Sequence, residues 1–314
     1  MVKNIQLLDY VFILRPTLFF PLWTVYLAGF HANTVFDPAR ESSQATATSG
    51  SHVFFIAALL TLLMGAVYIF NQIVDIKSDE RNDKLFFIAK KIIDKKTATI
   101  EGVLLTVISI GTAFVVDAKV GAMFVWIFLI TGILYSYKPF AWKDRPIMGA
   151  VANFLGGWSV ASCGWITAGT ESYHFALYSL PYGFGLVAVY LLTTIPDIPG
   201  DREFNKITFG VKFGKMKAVC WGLVFELATV VLSFILRDYL FFIPALFSLP
   251  LFIAAAATQE MKHIVRAIKF TILFVSLAVC LKFPVYFLVI LFTFFFSKWY
   301  YQKRFGLNYP KFAA

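Results

Sequence analysis

The sequence predicts an all-α polytopic membrane protein. Hydrophobic residues make up 59% of the 314 positions and charged residues only 15%. Long apolar runs recur along the whole chain, where a transmembrane barrel would show short alternating segments. The charges gather in the stretches between those runs. A soluble domain of this length has too little interior to hide so much apolar surface.

Ten hydrophobic segments are read, at 11–30, 53–74, 98–116, 119–137, 147–168, 174–195, 216–236, 239–257, 265–281 and 284–300. The start, "MVKNIQLLDYVFILRPTLFF", lacks a small-residue cleavage site and reads as a retained lead-in to the first span. Several segments carry Gly and Ser, as in "FLGGWSVASCGW", and small residues let helices approach closely in lipid. Cys163, Cys220 and Cys280 lie far apart in apolar stretches without metal-ligand spacing, and read as small core residues. The whole chain, 1–314, is read as a single domain.

The connections differ in kind. Residues 32–52, with "ARESSQATATSGSH", predict a flexible surface loop. Residues 75–97 carry Lys77, Arg81, Lys84, Lys90, Lys91, Lys95 and Lys96. Residues 138–146 carry Lys138, Lys143 and Arg145, and 197–217 carry Arg202, Lys206, Lys212, Lys215 and Lys217. These loops follow the second, fourth and sixth spans, so they share one side of the membrane. The opposite loops hold Arg40, Lys119 and Arg237. The positive-inside rule places the basic loops and the N-terminus in the cytoplasm and 32–52 outside. The tail, with Lys298, Lys303, Arg304 and Lys311, also belongs inside, which favours ten spans over nine. The net charge of +10 is thereby explained by topology and anionic headgroups, without nucleic acid as a partner.

Two clusters stand out against this background. In "NQIVDIKSDE" (71–80), Asn71, Asp75 and Asp79 are spaced by four and share one helical face. They sit at the cytoplasmic end of the second span, where a carboxylate is costly without a partner. In "TTIPDIPGDREFNKITFGVKFG" (193–214), Asp197 and Asp201 repeat that spacing at the end of the sixth span. There Pro196, Pro199 and Gly200 weaken the helix. Two acidic pairs at one membrane depth repel unless cations lie between them. Carboxylates are hard ligands suited to Mg²⁺, which takes one or two of them and completes its shell with water and phosphates. The surrounding Lys and Arg suit a diphosphate. The expected ligand has a phosphorylated head and a long apolar tail. No nucleotide-binding, zinc or Ser–His–Asp pattern occurs, and none of the four His has ligand spacing.

"NQIVDIKSD" resembles the first aspartate-rich motif of the UbiA superfamily of intramembrane prenyltransferases. "DIPGD" followed by "KITFGVKFG" resembles its second motif and the trailing R-T-L-x-V-x-L-G segment. "YSYKPFAWK" (135–143) is similar to the stretch after the family's fourth helix. "NQ" and "TIPDIPGD" look closest to the homogentisate prenyltransferases. The chain departs from the family in lacking R-P-L-P-S-G after motif one, where "NDKLFFIAKKI" stands, and in carrying Gln72 at a common Asp position. Members usually have nine spans.

The resemblance implies a helical bundle around a central cavity, and Mg²⁺-dependent transfer of a prenyl chain from an allylic diphosphate to a lipophilic, aromatic acceptor. Asn71, Asp75 and Asp79 are then expected to hold one Mg²⁺, and Asp197 and Asp201 a second. Lys77, Arg81, Lys143 and Arg202 are candidates to grip diphosphate, with Arg15 a further one facing the pocket. Tyr135 and Lys143 are implied to lie near the reacting carbon. Phe70, Tyr135, Tyr137, Trp142, Phe154 and Trp158 are the aromatic residues nearest the expected site, where π faces would stabilise a carbocation. A terpene cyclase on the same scaffold needs the same metal site. A secondary transporter would instead place its acids near the bilayer midplane. Glu226, inside a span, is expected to pair with a Lys or face the bundle.

Overall fold

Backbone groups in a bilayer must be satisfied within the chain, so apolar segments of this length become helices. The computed structural model describes residues 5–37, 50–81, 87–169, 173–204 and 206–310, and among these the regular elements are helical. They are α1 (Leu7–Phe12), α2 (Phe19–Phe36), α3 (Gly50–Arg81), α4 (Lys95–Val116), α5 (Ala118–Ile127) and α6 (Pro146–Thr167). Then follow α7 (Phe175–Tyr178), α8 (Leu180–Thr193), α9 (Ile198–Glu203) and α10 (Phe209–Ile235). The chain ends with α11 (Tyr239–Thr258), α12 (Met261–Lys282) and α13 (Pro284–Phe305). α5 runs on into a π-helical segment, Phe128–Leu134.

Local chemistry explains several of the helix starts. Asp94 accepts from the Thr97 amide at 3.0 Å and starts α4. Asp117 starts α5 through Lys119 and Val120, at 2.6 and 3.2 Å. Each satisfies orphan amides of a first turn. Proline opens α6 and α13, where a missing N–H costs nothing.

Nine helices among the described residues are long and apolar enough to cross a membrane, and Ala118–Leu134 is a shorter tenth apolar segment. The chain is thus a multi-pass membrane protein. The segment expected at 11–30 is broken: α1 ends at Phe12, Arg15 takes φ +58°, and a 3₁₀ turn over Pro16–Leu18 precedes α2. A residue before proline avoids the helical region, which is why the break falls there. α3 runs seven residues past the expected end at 74, since no Gly or Pro interrupts 66–81, so Asp75 and Asp79 stand on helix and not in a loop. The loop expected over 32–52 is helical at both ends, and 38–49 lie outside the described residues. α10 begins at Phe209 and kinks at Gly214, φ +81°. Cys163 and Cys280 are buried, but Cys220 faces outward on α10, so it is not a core residue.

α2 and α6 meet almost backbone to backbone. A Cβ on Gly29 would stand 2.1 Å from the Ala161 carbonyl oxygen, and one on Gly164 1.9 Å from that of Tyr26. Buried polar groups find partners across helices. Thr24 bonds Ser276 and Tyr286 at 2.9 and 2.7 Å, joining α2 to α12 and α13. Glu226 faces the bundle as expected, but its partner is the Ser248 hydroxyl at 2.5 Å and not a lysine.

The last helix returns to the first. Arg304 of α13 grips Asp9 of α1 through Nη2 at 2.8 Å and Nε at 3.1 Å, and the Tyr300 hydroxyl donates to the same carboxylate. Asp9 is fully buried and the Arg304 side chain is 7% exposed. Removing one member of a buried pair strands the other charge, which costs about 3–5 kcal/mol. Arg304→Met is therefore expected to lower the thermal denaturation midpoint in detergent sharply, and the double variant Asp9→Leu/Arg304→Met to recover much of the loss.

Candidate functional site

Helical periodicity carries Asn71, Asp75 and Asp79 down one face of α3. The turn after α8 and the first turn of α9 carry Asp197 and Asp201. All five side chains line one cavity of about 870 Å³. Arg15, Tyr135 and Lys143 line it too, so eight of the expected residues are brought together. Its walls come from the 3₁₀ turn, α2, α3, the π-helical segment with Tyr135 after it, the Lys143–Asp144 turn, α6, α8, α9 and the segment leading to α10. The acids cluster at one end. The other end is walled by apolar and small residues, among them Leu22, Val25, Met64, Val160 and Leu186.

The charged end is tightly wired. Lys143 Nζ lies 2.6 Å from Asp75 Oδ2, and Lys206 Nζ lies 3.4 Å from Asp75 Oδ1. Asp201 accepts from the Thr208 hydroxyl at 2.9 Å. Asn71 donates to the Ser136 hydroxyl at 3.1 Å, which ties α3 to the start of the 135–143 stretch. Asp144 also lines the cavity, and burial pushes its carboxyl above the usual range against the pull of Lys143 and Lys206. Among the described residues no three acidic, His or Cys groups already converge as a metal cage. Both pairs line the cavity, and a divalent ion held by them would need further oxygens. Mg²⁺ meets that need with water and substrate phosphates, so the all-oxygen donor set fits it.

The sequence profile of the UbiA prenyltransferase family matches residues 18–266. That stretch takes in every residue lining the cavity except Arg15. The chain belongs to the UbiA prenyltransferase family. Among solved structures, a UbiA homologue from Archaeoglobus fulgidus bound to GPP and Mg²⁺ aligns with TM-score 0.69 at 18% identity, covering 86% of this chain and 99% of that one. A digeranylgeranylglyceryl phosphate synthase aligns with TM-score 0.64 at 16% identity, over 87% and 96%. The apo UbiA homologue from Aeropyrum pernix K1 aligns with TM-score 0.66 at 14% identity, over 84% and 97%. No curated protein sequence matches the chain.

Other expectations for this UbiA member are corrected by the geometry. Lys77 is exposed and absent from the cavity wall, because two residues from Asp75 is about 200° round the helix. Arg202 is likewise exposed, one residue past Asp201. The Arg81 side chain lies outside the described residues. Of the six aromatic residues expected near the site, only Tyr135 lines the cavity. Phe70 packs on Phe128 and Phe154 on Phe184, while Trp158 Nε1 donates to the Ala176 carbonyl at 2.9 Å. The aromatic wall is instead Tyr68, Tyr135 and Tyr190. Tyr68 sits three residues before Asn71 and Tyr190 seven before Asp197, so counting back by helical turns from each motif finds both. Lys206, which the sequence reading leaves among the loop cations, also lines the cavity, one residue before the position of the Arg in the trailing R-T-L segment.

Gln72 explains one departure from the family pattern. Its Nε2 donates to the Ile13 carbonyl at 2.8 Å and to that of Tyr68 at 3.2 Å, and it is 1% exposed. An aspartate has no N–H to donate there. The amide thus pins α3 to the turn that presents Arg15.

Proposed function

We propose that this UbiA-family protein transfers a prenyl chain from an allylic diphosphate to a lipophilic, aromatic acceptor, with Mg²⁺ as cofactor. One observation carries the reading: a single cavity has two aspartate pairs and two lysines at one end and an apolar interior at the other. The A. fulgidus homologues solved with GPP or DMAPP and Mg²⁺ support it. The basic loops support a cytoplasmic position for the charged end.

Asn71, Asp75 and Asp79 on one side, and Asp197 and Asp201 on the other, would hold the metal. Bound Mg²⁺ would neutralise the leaving diphosphate and lower the barrier to breaking the allylic C–O bond. Lys143, Lys206 and Arg15 face the same charge and stabilise it as the bond breaks. Lys143 must leave Asp75 for this, so in the absence of donor it acts as a stand-in cation for the carboxylate. The allylic carbocation left behind faces the rings of Tyr68, Tyr135 and Tyr190, and the apolar walls keep water from quenching it. The acceptor ring forms the new C–C bond and loses a proton.

The test is pyrophosphate release by purified protein in detergent, with prenyl diphosphates, Mg²⁺ and a panel of aromatic and lipid acceptors. Release that requires both Mg²⁺ and an aromatic acceptor is the expected result. Release without any acceptor, with a cyclised hydrocarbon product, would replace transfer by cyclisation. An intact protein that releases nothing from any donor would overturn the proposal.

A further inference from the structure

We infer that the segment after α13, residues 306–310, is part of the donor site: Tyr309, acting through Thr17, is a positioning residue that holds the turn carrying Arg15 in place for the diphosphate. The inference rests on the prenyl diphosphate reading and adds to it a residue distant in sequence from every motif.

Arg15 needs such support. It lines the cavity, half-buried, at the break before the 3₁₀ turn, with φ +58° and ψ +61°. A residue with a Cβ keeps that left-handed conformation only where its surroundings hold it. The turn itself supplies two backbone bonds: the Arg15 amide donates to the Phe12 carbonyl at 3.1 Å, and the Leu18 amide to the Arg15 carbonyl at 2.9 Å. The rest comes from outside. Gln72 holds the upstream side at the Ile13 carbonyl. On the downstream side the Thr17 hydroxyl is hydrogen-bonded to the Tyr309 hydroxyl at 3.0 Å, 292 residues away along the chain.

The sequence builds the reversal that brings Tyr309 there. Gly306 closes α13 with φ +71°. Its amide donates to the Gln302 carbonyl at 2.9 Å, and the Leu307 amide to the Tyr301 carbonyl at 3.2 Å. This pair of bonds turns the chain back on itself, at a position where only glycine is unstrained. Tyr309 then stands edge-on to Tyr301, with ring centroids 5.0 Å apart. Tyr301 in turn meets Phe12 edge-on, and its hydroxyl is within electrostatic reach of Arg15. Together with the grip of Arg304 on Asp9, α13 and the segment after it hold the chain on both sides of Arg15.

The two grips differ in kind. The Asp9 pair is buried and carries the fold. Tyr309 is 44% exposed, so its hydroxyl can be removed without opening the interior. What that bond fixes is local, and the charged side chain beside it on the turn is Arg15. The family profile, over residues 18–266, reaches none of Arg15, Thr17 and Tyr309, so family membership does not by itself imply this contact.

Direct binding tests this without turnover. Protein in nanodiscs with Mg²⁺ is titrated with radiolabelled geranyl thiolodiphosphate. Arg15→Gln is expected to bind it about tenfold or more weakly, as for loss of a charge-assisted hydrogen bond. Tyr309→Phe keeps the ring on Tyr301 and drops the bond to Thr17, and is expected to weaken binding about three- to tenfold with an unchanged thermal denaturation midpoint. Thr17→Val removes the same bond from its other end and should lose as much, which supplies a second reading should the first variant misfold. The two together should lose no more than either alone. In Arg15→Gln protein, Tyr309→Phe is expected to have no further effect, a result that a merely structural bond does not give. Equal losses with and without the Arg15 guanidinium would overturn the inference, as would binding within twofold of wild type by both Tyr309→Phe and Thr17→Val. Undiminished binding by Arg15→Gln would overturn it too and leave the donor reading to stand on the aspartates. Failure of the wild type to bind the probe with Mg²⁺ would overturn the donor reading itself.

Discussion

Asp75→Ala and Asp197→Ala should each lower Mg²⁺-dependent pyrophosphate release by about 10²–10³-fold or more, the size of effect seen when a preorganised charge stabiliser is removed. The two are not equivalent in the free protein. Asp75 sits between Lys143 and Lys206, at 2.6 and 3.4 Å, whereas Asp197 lies in the turn after α8. Losing the Asp75 carboxylate leaves two lysines facing each other across the opening. Those lysines can still attract a diphosphate, so binding of donor without Mg²⁺ should persist in Asp75→Ala while the metal-dependent rate collapses. Asp75→Asn keeps the shape and removes the charge, and it should behave like the alanine variant. Lys143→Ala should lose less, since Lys206 and Arg15 remain on the same wall. The measurement is initial rate against Mg²⁺ concentration, on protein whose elution from size exclusion matches wild type. A rate for Asp75→Ala within threefold of wild type, at any Mg²⁺ concentration, would remove these aspartates from the metal site.

How much of this was readable beforehand depends on what each feature needs. The helices and the acid columns depend on local periodicity, and a spacing of four is enough to place Asn71, Asp75 and Asp79 together. The cations were harder. Lys77 and Arg202 have the right charge and neighbourhood in sequence, but helical phase turns them outward, and Lys206 reaches in from an extended segment whose direction no periodicity sets. The aromatic wall failed for a related reason. Phe70 and Phe154 are one residue off the cavity-facing positions Asn71 and Asn153, and one residue is 100° of helix. The grip of Arg304 on Asp9 spans nearly the whole chain, and only tertiary packing joins its halves.

The second large effect concerns folding. Gly164→Ala is expected to be severely destabilising, although alanine is the better helix former by about 1 kcal/mol. The added methyl carbon would stand 1.9 Å from the Tyr26 carbonyl oxygen, 2.8 Å from the Phe30 nitrogen and 2.9 Å from the Tyr26 carbonyl carbon. All three are backbone atoms of α2, which have no rotamer to escape into. The helices must therefore part, and overpacking of that kind costs about 1–3 kcal/mol or more. In lipid little replaces the lost contact, because close packing is itself a main source of helix association. Gly29, with the Ala161 carbonyl oxygen 2.1 Å from its virtual Cβ, lies on the same seam, so Gly29→Ala should fail similarly. Gly111 of α4 is the control. Nothing lies within 4 Å of its virtual Cβ, so Gly111→Ala should be neutral or gain up to about 1 kcal/mol. Thermal aggregation of the three variants in detergent, followed by size exclusion, ranks them directly.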